Sequence, residues 1–359
     1  MSSSSKEQTS HQFTLDASVP ARPVSFPLLQ RLAAVLSTNQ PLRYSDIVER
    51  PIVPMSTLFS ANRPQAPSRA TRYHHWNALR ILALIEPSDG GYRLTAIGKD
   101  LASVKEGTAR DSLSPEARSI LSQAVRACPL VRRNFLVLFT GDAQLDPWTD
   151  GKPLGVETIR GKRAVRLNNP NWKGTVELSV SQTYGILWGL GQWCRSIGLV
   201  DEILIRPQAD VIDARANILF PVDPDAALTV SVERFDELIK PYFAEGEPAP
   251  NDARALSIPL LLYRLCPAER ISLAAAKDLL TLWLRRQANG AWVQAPSAAA
   301  LNSERVPWGN SQVVWRKQQE AFLTQGDTVF TRLVVSARLG APPVEPDVPW
   351  PQPDRDSND

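Results

Sequence analysis

Arg69, Arg72, Tyr73, Asn77 and Arg80 fall in one short stretch, SRATRYHHWNALRI, that carries no carboxylate. On a helix turning about 100° per residue, Arg69, Tyr73, Trp76, Asn77 and Arg80 share one face. Ala78, Leu79, Leu82 and Ile85 form the opposite, apolar stripe, with His75 among them. No Asp or Glu occurs from Pro51 to Ile85, whereas Arg63, Arg69, Arg72 and Arg80 all do. A guanidinium fork donates two parallel hydrogen bonds, and an asparagine amide can both donate and accept. Such a face therefore suits phosphates and base edges. The same composition also suits a solvated helix face with no ligand.

Catalytic constellations are sparse. The chain has 3 histidines: His11, His74 and His75. His74 and His75 are adjacent, so on a helix they point about 100° apart and cannot chelate one ion. No histidine follows residue 75 to complete a serine or cysteine triad, and no phosphate-binding loop motif occurs. Gly189-Leu190-Gly191 is too short for a dinucleotide fingerprint. The nearest approach to a metal-dependent nuclease is Asp146 and Asp150 with Glu157. These counts lead to the expectation of a non-enzymatic protein without metal or cofactor.

Around the arginine-bearing helix the sequence supplies a short ordered series. Leu84-Ile85-Glu86 reads as a strand, Asp89-Gly90-Gly91 as a tight turn and Gly91–Leu94 as the return strand. Thr95 then caps a further helix, with Asp100 in its early turns. This order resembles a winged helix, the helix-turn-helix variant in which a β-hairpin follows the recognition helix. The resemblance implies a DNA-binding module over residues 25–110. Arg69, Arg72, Tyr73, Asn77 and Arg80 would enter the major groove, with His74 at the backbone and Arg93 on the hairpin at a phosphate. Two departures stand out: Ala83 occupies the position where such helices often end in glycine, and a long proline-bearing stretch, Pro51–Pro67, replaces a short turn.

Weaker copies of the pattern are expected over 111–245 and 253–340. Ser114-Pro115-Glu116 opens a helical run to Leu138. The stretch 181–197 reads as a second such helix, apolar almost all round and ended by Gly198. Leu204-Ile205 and Ile218-Leu219-Phe220 would be its hairpin strands. Gly185, Gly189 and Gly191 permit close approach of another helix. Before it, residues 140–174 read as a polar loop holding Arg160, Lys162, Arg163, Arg166 and Lys173 near Trp172, a group suited to phosphate contacts. Ser231 and Ser272 cap later helices, Ala244–Asp252 reads as a linker, 311–323 as a helix and 328–335 as one strand. The ends, 1–24 and 341–359, read as disordered.

The expected fold class is therefore mainly α with short β-hairpins (α+β), in tandem winged-helix-like units. The net charge is only +3, so any binding surface is a local patch. Three well-separated cysteines in apolar contexts read as buried thiols of a cytoplasmic protein, and no stretch is apolar enough to span a membrane. Double-stranded DNA is the expected partner, in transcription regulation or an antiviral genome-defence complex. The alternative is a scaffold docked into a multisubunit assembly through the apolar 182–197 helix.

Overall fold

Most helices in this computed structural model begin where the sequence offers a hydroxyl. Ser68, Thr95, Ser114, Ser179, Ser231 and Ser272 each accept the backbone N–H three residues on, satisfying a donor that a helix start leaves unpaired. The structure describes residues 14–38, 41–52, 68–107, 112–159, 162–169, 172–205, 216–223, 230–287, 290–295, 323–325 and 328–336. Arg63, Arg160, most of the helix expected at 311–323 and the 341–359 segment lie outside them. The α+β expectation holds: helices predominate and the sheets are small and antiparallel.

The chain forms two compact units, Met1–Asp146 with Leu178–Leu199, and Pro147–Glu177 with Val200–Asp359. It passes between them three times, so the segment 111–245 contributes to both. The first unit starts with α1 (Phe26–Thr38) and a short widened turn, α2 (Ser45–Glu49). Next come α3 (Arg69–Ile81), the hairpin strands β1 (Ile85–Ser88) and β2 (Gly91–Leu94), and α4 (Ala96–Ser103). The hairpin has the expected register, Ile85↔Leu94 through Ser88↔Gly91, with Gly90 at positive φ. Leu42 adds a third strand position by exchanging hydrogen bonds with Tyr92. A Cβ at Gly91 would lie 2.4 Å from the Leu42 carbonyl oxygen, so only glycine fits there.

α5 (Pro115–Ala127), α6 (residues 129–140) and α7 (residues 180–196) complete the unit. They are joined by an element that the sequence reading missed. Residues 14–24, expected to be disordered, form an extended strap with Val19, Ala21 and Val24 buried. The Ser-rich start masks a short apolar pattern whose partner, the glycine-bearing face of α7, lies more than 150 residues downstream.

In the second unit, β3 (Leu154–Ile159), β4 (Lys162–Asn169), β5 (Trp172–Leu178), β6 (Val200–Ile205) and β7 (Ala216–Pro221) form one antiparallel sheet in the order β5-β4-β3-β7-β6. The expected 204–205 and 218–220 strands do pair, Leu204↔Asn217 and Ile203↔Ile218, but within this five-stranded sheet and not as an isolated hairpin. The basic stretch read as a loop is likewise strand, with Arg163 opposite Thr158 and Arg166 opposite Gly155. Dense charge hid its strand character, because composition there says solvent and says little of backbone pairing.

α8 (Val232–Ile239), β8 (Glu247–Ala249), β9 (Ala253–Ser257), α9 (Ile258–Glu269) and α10 (Leu273–Arg286) follow. Ile203, Phe220, Phe235, Ile239, Leu262, Leu280 and Trp283 belong to one core. Asp201 ties sheet to helix by accepting the Leu273 N–H at 2.7 Å, and Trp283 donates to Asp236 at 2.7 Å. The expected linker at 244–252 is instead part of a hairpin, with Pro248 on β8 opposite Arg254. Its prolines suit an edge strand, where a missing N–H costs no ladder bond. β10 (Ala291–Gln294), β11 (Leu323–Gln325), β12 (Thr328–Phe330) and β13 (Arg332–Val335) finish the described chain. The single strand expected at 328–335 is broken at Thr331: β12 pairs with β11, while β13 lies between β9 and β10.

Ala83 has φ +53° at the C-terminus of α3, where the Leu84 N–H bonds back to the Leu79 carbonyl. This closure puts a Cβ in the left-handed region that glycine enters freely. Ala83 is exposed, so nothing is lost by trimming its methyl. Ala83→Gly should raise the unfolding free energy of this unit by about 0.5–1 kcal/mol, less any gain in unfolded-chain entropy, measured by urea denaturation. A loss of that size would show that the closure is not formed as described.

Candidate nucleic-acid interface

α3 is divided lengthwise by what lies against it. Trp76, expected on the outward face, is buried edge-on against Tyr92 and Tyr44, with centroids 4.4 and 5.9 Å away. Asn77 is only 8% exposed and donates its amide to the Pro20 carbonyl at 2.7 Å. The expectation that Asn77 reads a base is corrected: the strap claims its donor and covers it. Arg72 is corrected in part, since it is half-buried and its Nε donates to the Val48 carbonyl at 2.7 Å.

The remaining residues of the expected face are open to solvent. Tyr73 is 42% exposed and Arg80 is exposed, with no hydrogen bond or ion pair to hold it among the described residues. Arg69 reaches Glu49 at 3.2 Å, and Arg93 reaches Glu86, its cross-strand neighbour, at 2.8 Å. All four of those side chains are largely in solvent. Such pairs are typically worth about 0–1 kcal/mol, so a phosphate can displace either carboxylate at small cost.

The two histidines separate as the sequence reading anticipates. His75 is buried; its Nδ1 faces the Thr71 carbonyl at 2.8 Å and its Nε2 accepts the Ser25 N–H at 3.2 Å. That arrangement needs the neutral ring protonated on Nδ1, and burial holds its pKa below the usual histidine value. His74 is half-buried, and its pKa is lowered by burial and then by the nearby Arg22 guanidinium.

Lys162, Arg163 and Arg166 stand on β4 and Lys173 on β5, so four of the basic cluster's residues sit on adjacent strands of one sheet. Arg160 lies outside the described residues. Among the described residues, no three His, Cys, Asp or Glu side chains gather as metal ligands, and no helix is long and apolar enough to cross a membrane. Cys128, Cys194 and Cys266 are free and buried, as expected, and burial raises the pKa of each thiol.

No family model matches the chain, and no curated protein matches it. Among solved structures it resembles the restriction endonuclease FokI, with a TM-score of 0.36 and 13% identity over 70% of this chain. The match spans 57% of that protein's length. The expectation of a non-enzymatic protein is withdrawn and not replaced, since the protein found to be similar is an enzyme. At this TM-score the likeness carries no argument about what the present chain binds or does.

The histidine geometry fixes the sign of a pH effect. With folded pKa values below about 6.5, His74 and His75 favour the folded state fully above that pH. Their contribution falls as the unfolded chain takes up protons below it, and protonating His75 Nε2 would set a second donor against the Ser25 N–H. Unfolding midpoints measured between about pH 7.5 and about pH 5.5 should therefore drop on acidification, and His75→Gln should lessen the drop. A slope unchanged in that variant would contradict the neutral, strap-bonded ring.

Proposed function

We propose that this protein binds double-stranded DNA through a winged-helix-like surface of its first unit. The observation that carries this reading is the solvent side of α3. It presents Arg69, Tyr73 and Arg80, has no carboxylate anywhere along the helix, and is followed directly by a hairpin bearing Arg93. A rod about as wide as the major groove, edged by cations, with a two-stranded flap beside it, suits groove entry with backbone contacts on the flap.

In this reading Arg69 and Arg80 approach base edges or phosphates from the helix. Tyr73 supplies an exposed ring and a hydroxyl, His74 a further contact, and Arg93 exchanges Glu86 for a phosphate. Asn77 serves the fold, and Arg72 holds α2 against α3. Lys162, Arg163, Arg166 and Lys173, which stand on β4 and β5 of the second unit, would add phosphate contacts that raise affinity without reading sequence.

Fluorescence anisotropy with a labelled duplex tests the proposal. Affinity should fall steeply with salt, and Arg69→Ala and Arg80→Ala should each reduce the slope of log K against log[salt] by about one unit. Asn77→Ala should lower stability with little change in slope. Salt-independent binding, or no binding at low ionic strength, would overturn the reading. A normal slope for Lys162→Ala with Arg163→Ala would remove these strand residues from it.

A further inference from the structure

A second exposed feature of the first unit lies beside α3 and shares only Tyr73 and His74 with the reading above. α7 carries three glycines, and two of them exist to let the strap in. A Cβ at Gly185 would lie 2.5 Å from the Val19 carbonyl oxygen, and one at Gly189 would lie 2.8 Å from the Ala21 carbonyl carbon. With the strap seated there, Trp193 donates to the Arg22 carbonyl at 2.8 Å, and Gln192 both accepts from and donates to the Val24 backbone. Gly185 and Gly189 thus fix where Arg22 emerges. Its Nη1 donates to the Ala21 carbonyl, and the guanidinium stands 6.0 Å from the centre of the Tyr184 ring.

Tyr184 in turn meets Trp188 edge-to-face at 4.5 Å. These two are 43% and 40% exposed on a helix whose other large apolar residues, Val180 apart, are buried. Burial and then Arg22 lower the pKa of His74, whose ring meets the exposed Tyr73 at 5.8 Å. Arg22, Tyr184 and Trp188 therefore make one strip over the strap and α7, and Tyr73 with His74 flanks it on α3, the helix that Asn77 ties to Pro20 of the strap. Large rings half in water cost stability relative to polar residues, and their alignment with a guanidinium is an arrangement that a ligand would repay.

Charge identifies the occupant. The three segments that frame the strip, residues 17–25, 69–81 and 180–196, hold five arginines and no Asp or Glu. The carboxylate of the strap itself, Asp16, is turned to Asn134, which donates to its Oδ2 at 2.9 Å. An acidic polymer with flat apolar faces meets both requirements: phosphates for the guanidinium, rings for the rings. The geometry points to a binding strip for unpaired nucleobases of single-stranded nucleic acid, with Trp188 and Tyr184 as stacking platforms, Tyr73 as a third ring, and Arg22 on the backbone.

This site is separable from the proposed duplex surface because Arg22, Tyr184 and Trp188 belong to the strap and α7. The test is anisotropy of a labelled single-stranded oligonucleotide of about 16 nucleotides, and of the matching duplex, with the full chain. Tyr184→Ala combined with Trp188→Ala should weaken single-strand binding roughly 5- to 100-fold and leave duplex affinity unchanged, while Trp188→Phe retains most of the binding. The thermal midpoint of each variant reports folding, and Trp188→Phe keeps the test valid if the double variant unfolds. Unchanged single-strand affinity in a folded double variant overturns the proposal. So does wild-type protein that binds no single strand but loses a self-association or protein contact in light scattering when the rings are removed, an outcome that assigns the strip to protein docking. Failure of duplex binding alone leaves the strip supported and sinks only the α3 reading.

Discussion

An extended piece of backbone lying in a trough of glycines is the contact on which the first unit depends. Residues 16–25 have no strand partner, so their polar groups need side chains to satisfy them, and they find these on three helices. Asn134 of α6 accepts the Asp16 N–H, Gln192 and Trp193 of α7 bind Val24 and Arg22, and His75 and Asn77 of α3 bind Ser25 and Pro20. Each of those side chains is fully or partly buried, and each would be costly to leave unpaired. The strap is therefore a shared solution to a satisfaction problem, and it holds α3, α6 and α7 in one arrangement.

The same contact decides what remains for function. The strap covers Asn77 while Tyr44 and Tyr92 cover Trp76, which leaves Arg69, Tyr73 and Arg80 exposed on α3 and His74 half-buried. By filling the Gly185–Gly189 trough it converts a helix apolar on nearly every side into one with only Val180, Tyr184 and Trp188 exposed to any extent among its large apolar residues. Both candidate surfaces are what the strap leaves uncovered, and Arg22 of the strap stands between them.

Local signals in the sequence are legible where the chemistry is local. Hydroxyl caps at Thr95, Ser114, Ser231 and Ser272, the Asp89-Gly90 turn, the left-handed position at Ala83 and the glycine ending α7 all follow from a few adjacent residues. Long-range pairing is not. Arg163 on β4 faces Thr158 on β3, which pairs in turn with β7 some sixty residues on, and no periodicity in the charged stretch announces this. The glycines of α7 mark a close-approach surface in the sequence, where the expected partner is a helix. A strap at the far end of the chain meets the same steric demand. Asn77 shows the converse error: a helical projection put it beside Arg80, and only the fold shows that the Pro20 carbonyl reaches it first.

The central claim is that this strap is a structural member and not a tail. Amide hydrogen exchange under native conditions measures it directly. The Asp16, Val24 and Ser25 amides, each donated to a side-chain acceptor, should exchange as slowly as amides in the interiors of α3 and α7, because all of them open only when the unit opens. Exchange at the rate of a free peptide across residues 16–25, with α7 still protected, would contradict the account and with it the placement of Arg22 between the two surfaces.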